Sequence, residues 1–180
     1  AHEHPDAQLP DATDPDPMQV EIEFAAKVAG ADFACGESYA GIGSAGSTYV
    51  ASDFRFYVHD VHLVGDAGEV AVELAPGPFQ SGGVALLDFE TGGTGCQMGS
   101  SGTHTAITGT VPAGTYTGVR FKLGVPFDRN HLDVAAAEPP LDVPAMYWAW
   151  SSGYKFVKID GVVGGAGFNL HVGSTGCGAT

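Results

Sequence analysis

Apolar and polar residues alternate with a period of two along most of the chain from residue 19 onward, a pattern that predicts β-strands. In the first such run, Val20, Ile22 and Phe24 are separated by glutamates, as expected of a half-buried strand. Each later run is bounded by glycine, proline or aspartate. The later predicted strands are residues 53–64, 69–74, 83–89, 105–111, 116–125, 153–160 and 167–173.

The run over residues 53–64 is rich in apolar residues and also carries two histidines. Strict alternation puts Phe54, Phe56 and Val58 on one face and Tyr57, Val61 and Leu63 on the other. Both faces of this strand are therefore expected to be covered. Because residues three apart on an extended strand point to opposite faces, His59 and His62 are predicted not to chelate one ion.

About eight short strands separated by irregular loops predict an all-β fold, an antiparallel β-sandwich or barrel with Greek-key connections. The 27 glycines and 11 prolines among 180 residues support this class, because both interrupt helices and mark turns. We expect one domain over residues 19–180 and a disordered tail, rich in proline and aspartate, over residues 1–18. Residues 126–152 break the strand rhythm and are predicted to form a long functional loop.

Composition and charge exclude several classes of protein. With 21 acidic and 7 basic residues, the formal charge of −14 repels phosphate backbones, so nucleic-acid binding is not expected. No stretch approaches the roughly 20 apolar residues of a transmembrane helix. The first residues also lack the basic and apolar regions of a signal peptide, as expected of a mature exported chain.

The three cysteines lie in connections rich in glycine, serine and threonine and form no CxxC motif. This placement favours a bridge between loops over a redox site. A disulfide between Cys35 and Cys96 would leave Cys177 unpaired.

Histidines and tryptophans are the candidates for chemistry. Imidazole is a good ligand for copper or zinc, but the seven histidines show no familiar metal-binding spacing. His131, at the mouth of the long loop, and His171, near the end of the last strand, are the best placed. Trp148 and Trp150 would share one face of a strand, as a core anchor, a sugar-stacking platform or an interface patch. No GxSxG motif or separable Ser/His/Asp set predicts catalysis.

Several strings of residues together resemble one family. They are residues 54–64, 84–90, 111–127, 130–133, 146–150, 153–156 and 171–177. The resemblance covers roughly residues 19–177 and is to MbnP, the copper-binding partner in the metallo-mystery pair, also described as a four-Cys motif protein. It implies a protein of the periplasm or the outer-membrane surface that acts in copper acquisition or homeostasis and is not an enzyme. A lipoprotein tether before Ala1 is compatible with that location.

The resemblance also implies a partner, the diheme enzyme MbnH of the MauG/cytochrome c peroxidase superfamily. That enzyme oxidises the first tryptophan of a WxW motif to kynurenine, which in this sequence is Trp148. The implied site holds one copper ion, Cu(I), bound by His131, His171 and the kynurenine, with His59 and His62 as weaker alternatives. The residues expected to support these ligands are Asn130, Trp150 and Tyr154.

One feature departs from the family pattern. The family is named for four cysteines, and this chain has three. On the resemblance we expect Cys35 to pair with Cys96, and the partner of Cys177 to lie beyond Thr180.

The sequence is also compatible with two other functions. The first is a carbohydrate- or surface-binding β-sandwich module that uses Trp148 and Trp150 as an aromatic platform. The second is a metal-dependent or oxidative enzyme, which needs an open coordination position and a substrate cleft. Imidazole nitrogens beside Trp148 would favour a metal site, whereas exposed coplanar indoles far from any histidine would favour sugar binding.

Overall fold

The structure, a computed structural model, describes residues 16–97, 99 and 102–174. It is almost entirely β, as predicted. The strands are β1 (Met18–Glu23), β2 (Lys27–Val28), β3 (Ala31–Asp32), β4 (Ser38–Ile42), β5 (Ser47–Gly65), β6 (Gly68–Ala71), β7 (Glu73–Leu74), β8 (Gln80–Ser81), β9 (Val84–Asp88), β10 (Ala106–Val111), β11 (Gly118–Leu123), β12 (Tyr147–Ala149), β13 (Gly153–Val163) and β14 (Ala166–Gly173). The helical segments are α1 (Phe127–Asn130) and two 3₁₀ turns, Val134–Ala136 and Pro144–Met146. No helix among the described residues has the length and apolar character needed to cross a membrane.

Most of the predicted tail, residues 1–15, lies outside the described residues. At its other end, Met18 already belongs to β1, so the first strand begins one residue earlier than predicted.

Two antiparallel sheets pack face to face and enclose the main core. The smaller follows the order β1-β10-β7, and the larger follows β12-β13-β5-β9-β8. The 19-residue strand β5 is the centre of the larger sheet, where it also pairs with β4, β6 and β11, while β14 pairs with β13. The core between the sheets includes Val20 and Ile22 of β1, Val58 of β5 and Ile107 of β10. The β-sandwich prediction is therefore confirmed.

Strand β5 contains a β-bulge at Asp60, which breaks the alternation predicted from the sequence. Asp60 has a φ of 52°, and the register of β5 against β11 shifts at this point. The extra residue brings Val61 and Leu63 into the same core as Phe56 and Val58. The prediction that these two pairs face opposite sides of the sheet is wrong.

The same bulge puts His59 and His62 on one face of β5, not on opposite faces as predicted. The two rings nevertheless have separate partners. His59 Nδ1 lies 2.8 Å from the carbonyl oxygen of Gly124, and His62 Nδ1 lies 3.0 Å from that of Asp60. Neither contact involves the tryptophan motif.

The long loop over residues 126–152 lies on the face of the larger sheet opposite the main core. There Tyr57 and Tyr154 form a second buried cluster with Leu141 and Met146. Three side chains of the sheet donate hydrogen bonds of 2.7 to 2.9 Å to loop carbonyls. The pairs are Tyr57 with Pro140, Tyr154 with Leu141, and Lys155 with Ala145. The loop is therefore fixed to a rigid support, which positions α1 and β12.

A disulfide joins Cys35 to Cys96, as predicted. It links the segment before β4 to the segment after β9, across 61 residues of sequence. Cys177 lies outside the described residues.

Candidate functional site

Trp148 and His171 lie side by side where β12 and β14 both meet β13. Their ring centroids are 6.2 Å apart and their planes are inclined by 54°. Gly173 on β14 makes this packing possible. An ideal Cβ at position 173 would overlap Cζ3 of Trp148 and lie only 2.9 Å from Cη2. The indole therefore packs directly on the backbone of β14.

His131 follows the last residue of α1 and is bonded to the backbone of the tryptophan motif. Its Nδ1 lies 2.7 Å from the carbonyl oxygen of Trp150. Because a carbonyl only accepts hydrogen bonds, Nδ1 carries the hydrogen and Nε2 carries the lone pair. The side-chain amide of Asn130 donates to that lone pair at 3.2 Å.

Asn130 connects His131 to the start of β13. It is only 1% exposed, and its Oδ1 accepts a hydrogen bond of 2.9 Å from the backbone N–H of Tyr154. Gly153, with a φ of 71°, leaves room for this side chain, since an ideal Cβ there would lie 2.5 Å from three atoms of Asn130. Asn130, Trp150 and Tyr154, which were predicted to support the ligands, thus form one hydrogen-bonded group with His131.

Asp160 contacts His171, and no sequence pattern marked it as a site residue. Its Oδ1 lies 2.7 Å from His171 Nε2, and its Oδ2 lies 2.5 Å from Nζ of Lys158. Burial of Asp160, which is 7% exposed, would by itself raise the pKa of its carboxyl group. The hydrogen bonds and charges of Lys158 and His171 outweigh burial, so the pKa of Asp160 is lowered. Asp160 is therefore an anion at neutral pH and accepts a hydrogen bond from His171.

Asp160 and Lys158 belong to a buried charge cluster that also contains Asp53 and Arg55. Arg55 Nε donates to Asp53 at 2.9 Å, and Lys158 contacts Asp53 as well. In the sheet, Lys158 lies between Arg55 on one side and His171 on the other. The charge cluster thus extends from the middle of the sheet to His171.

A sequence signal for this cluster does exist. Charged residues recur at alternate positions in two apolar strands, at Asp53 and Arg55 in β5 and at Lys158 and Asp160 in β13. Since β5 was predicted to be covered on both faces, its charges needed buried partners. Alternation could not show that β13 is the strand that supplies them.

Conventional donor groups do not complete a metal site around Trp148 within the described part of the chain. There, the one group of three or more His, Cys, Asp and Glu donors close enough to share an ion is Cys35, Glu90 and Cys96. The two sulfur atoms of that group are bonded to each other and are not thiolates. Trp148 packs against the imidazole of His171, which keeps Nδ1 without a hydrogen bond to any described residue. The imidazole of His131 contacts the backbone of the same motif at Trp150.

Four exposed apolar side chains lie next to the two histidines, in space or along the chain. Trp148 is 41% exposed and Trp150 is 66% exposed, so neither is a core anchor. Phe127 and Leu132 are 71% and 53% exposed, and the Phe127 ring packs edge-on against His131 with centroids 6.1 Å apart. We call Phe127, Leu132, Trp148 and Trp150 the apolar rim. A contiguous patch of exposed apolar side chains is the usual mark of an interaction site.

Comparison with known proteins gives a consistent result. The family model described as MbnP matches residues 17–180. Among solved structures, MbnP from Methylosinus trichosporium has a TM-score of 0.74 and 29% sequence identity, with 89% of this chain covered. The chain spans 63% of the length of that protein. No curated protein matches the sequence.

Proposed function

The chain belongs to the MbnP family, and from this premise we propose that it is a copper-binding protein that holds one Cu(I) ion. The ligands are His131, His171 and a kynurenine formed from Trp148. The protein acts in copper acquisition or homeostasis, in the periplasm or at the cell surface, and not as an enzyme. The observation that carries the proposal is the packing of Trp148 against His171, with His131 bonded to the backbone of the same WxW motif.

The modification of Trp148 supplies a donor that the unmodified chain lacks. An intact indole cannot bind a metal in the usual way, because its nitrogen carries a hydrogen and its lone pair belongs to the ring. Kynurenine carries an aryl amine with a free lone pair. Two imidazoles and this amine suit Cu(I), whose filled d shell favours few and comparatively soft ligands.

The two histidines differ in whether the ring nitrogen that would bind copper already accepts a hydrogen bond. Nδ1 of His171 has no hydrogen bond to a described residue, and Nε2 is directed to Asp160. The lone pair of His131, on Nε2, receives the amide of Asn130. Coordination through that nitrogen requires the Asn130 amide to move away, while the bond from Nδ1 to Trp150 can remain and orient the ring.

The apolar rim is the surface on which the diheme partner, a MauG-like enzyme, would dock to oxidise Trp148. Oxidation breaks the C2–C3 bond of the indole and adds one oxygen to each carbon, giving N-formylkynurenine. Two molecules of hydrogen peroxide, reduced to two of water, balance this step. Hydrolysis then releases formate and leaves the aryl amine. The partial exposure of Trp148 is consistent with attack from outside.

Co-expression with and without the diheme partner tests this function. Intact-mass and metal analysis should reveal kynurenine and stoichiometric copper only with the partner. Trp148→Phe should lose both. Trp150→Phe is the matched control, because it keeps an aromatic side chain in the apolar rim and His131 bonds the backbone carbonyl of residue 150, not its indole. Absence of both kynurenine and copper under co-expression would overturn the proposal.

The exposure of both indoles also suits a carbohydrate-binding platform. The imidazole of His171 beside Trp148 favours the metal site over this alternative. Titration of the unmodified protein with oligosaccharides, followed by tryptophan fluorescence, separates the two functions. Saturable quenching that Trp150→Ala abolishes would support the carbohydrate function.

A further inference from the structure

We propose that Asp160 is a positioning residue for copper binding, because it fixes the tautomer of His171 in which Nδ1 is free to bind the metal. A carboxylate only accepts hydrogen bonds, so the 2.7 Å contact requires the hydrogen on Nε2 of His171. In a neutral imidazole the other nitrogen, Nδ1, then carries the lone pair. This role rests on the proposed function and adds a residue to it.

Lys158 fixes the orientation of the Asp160 carboxylate. Its ammonium group lies 2.5 Å from Oδ2, on the opposite oxygen from the one that faces His171. Lys158 is buried and is itself held by Asp53, which is paired with Arg55. Each Asp160 oxygen therefore has one partner, and these two contacts hold the carboxylate in one orientation.

Lys158 and His171 both donate hydrogen bonds to Asp160, and this leads to a specific prediction for Asp160→Asn. An asparagine has one accepting oxygen and one donating amide group. The ammonium group of Lys158 only donates hydrogen bonds and cannot face a donating amide, so the single oxygen turns to Lys158 and the amide turns to His171. Nε2 of His171 must then accept, which moves its hydrogen to Nδ1. The substitution keeps the shape of the side chain and reverses the tautomer.

A double substitution should restore the original tautomer. In Lys158→Met with Asp160→Asn, one buried positive and one buried negative charge are removed together, so the net charge is unchanged. The asparagine oxygen no longer has an ammonium group to satisfy and is free to accept from Nε2 of His171. A purely structural role for Asp160 predicts no such recovery.

The experiment measures the tautomer of His171 by two-bond ¹H–¹⁵N NMR on copper-free protein at about pH 8, above the ordinary histidine pKa of about 6.5. We expect the Nε2–H form in the wild type, the Nδ1–H form in Asp160→Asn, and the Nε2–H form again in the double variant. Cu(I) affinity of the kynurenine-containing proteins, measured by competition with a chelator, should fall about 10- to 100-fold in Asp160→Asn. It should recover at least in part in the double variant.

The outcomes separate this inference from the function on which it rests. An Nδ1–H tautomer in the wild type, or an unchanged tautomer in Asp160→Asn, overturns the assignment whether or not copper binds. A reversed tautomer with unchanged copper affinity overturns the positioning role and leaves the proposed function intact. A kynurenine-containing wild type that binds no copper overturns the proposed function, and the role of Asp160 in binding falls with it.

Discussion

Replacing Gly173 with alanine tests whether the packing of Trp148 on β14 holds the indole beside His171. An ideal Cβ at position 173 would overlap Cζ3 of Trp148 and lie 2.9 Å from Cη2. Since carbon atoms in contact are about 3.5–4.0 Å apart, the indole must move outward by roughly 1 Å. The change therefore alters the position of the Trp148 ring relative to His171.

Gly167→Ala is the matched control on the same strand. Nothing lies within 4 Å of an ideal Cβ at Gly167, and neither glycine has a left-handed φ. Gly167→Ala should be neutral or stabilising by up to about 1 kcal/mol. Overpacking costs about 1–3 kcal/mol in a closed core. Because Trp148 is partly exposed and can move, we expect Gly173→Ala to lower the free energy of unfolding by about 1 kcal/mol, at the low end of that range.

The assay combines urea unfolding with nuclear Overhauser effects between the ring protons of Trp148 and His171. Gly173→Ala should weaken these effects and lower the stability, while Gly167→Ala should change neither in that direction. Equal stability of the two variants, together with unchanged ring contacts in Gly173→Ala, would refute the packing argument.

Three further predictions concern stability measured by denaturant unfolding. Asp53→Asn removes the anion shared by the buried cations Arg55 and Lys158 and should cost about 3–5 kcal/mol. Its control is Asp32→Asn, which breaks the exposed ion pair of Asp32 with Lys27 and should cost at most about 1 kcal/mol. Equal losses would contradict the difference in burial. Replacing Cys35 and Cys96 by serine removes a link across 61 residues and should lower the free energy of unfolding by about 4 kcal/mol. An unchanged free energy of unfolding would mean that the disulfide does not stabilise the fold. Burial lowers the pKa of His104, so its neutral form is favoured on folding and stability is lost as pH falls below the unfolded value of about 6.5. His104→Gln should flatten this slope between pH 7 and 5, and an unchanged slope would assign it to other groups.

Strand β5 shows what sequence patterns predict well, which is the strand itself, and what they do not predict, which is a local bulge. Period-two alternation located the strand and the sandwich correctly, because burial on one face imposes that period. It failed at Asp60, where one residue with a φ of 52° shifts every later side chain to the other face. Aspartate tolerates this conformation better than most residues, but its presence alone does not predict a bulge.

The candidate residues came from the resemblance, and only the structure supplied their geometry. The resemblance pointed to Trp148, His131 and His171. The structure adds the contact of His171 with the Trp148 ring and that of His131 with the Trp150 carbonyl. Gly173 had no distinguishing feature in a chain with 27 glycines. Its importance depends on the pairing of β12 and β14 with the same strand, which brings residues distant in sequence into contact. Local patterns do not contain that long-range pairing.

The buried charge cluster is better explained by its effect on the His171 ring than by a contribution to the stability of the fold. Buried ion pairs lose much of their attraction to the cost of desolvation, and apolar replacements are often as stable. An apolar pair at positions 158 and 160 could fill the same space, but it could not choose between the two nitrogens of His171. Lys158 fixes which oxygen of Asp160 faces the histidine, and Asp160 fixes which nitrogen carries the hydrogen. If this reasoning holds, replacing Lys158 and Asp160 together by methionine and leucine should preserve the fold, while His171 becomes a mixture of tautomers in NMR spectra of the copper-free protein. A single Nε2–H tautomer in that variant would mean that other groups orient the ring.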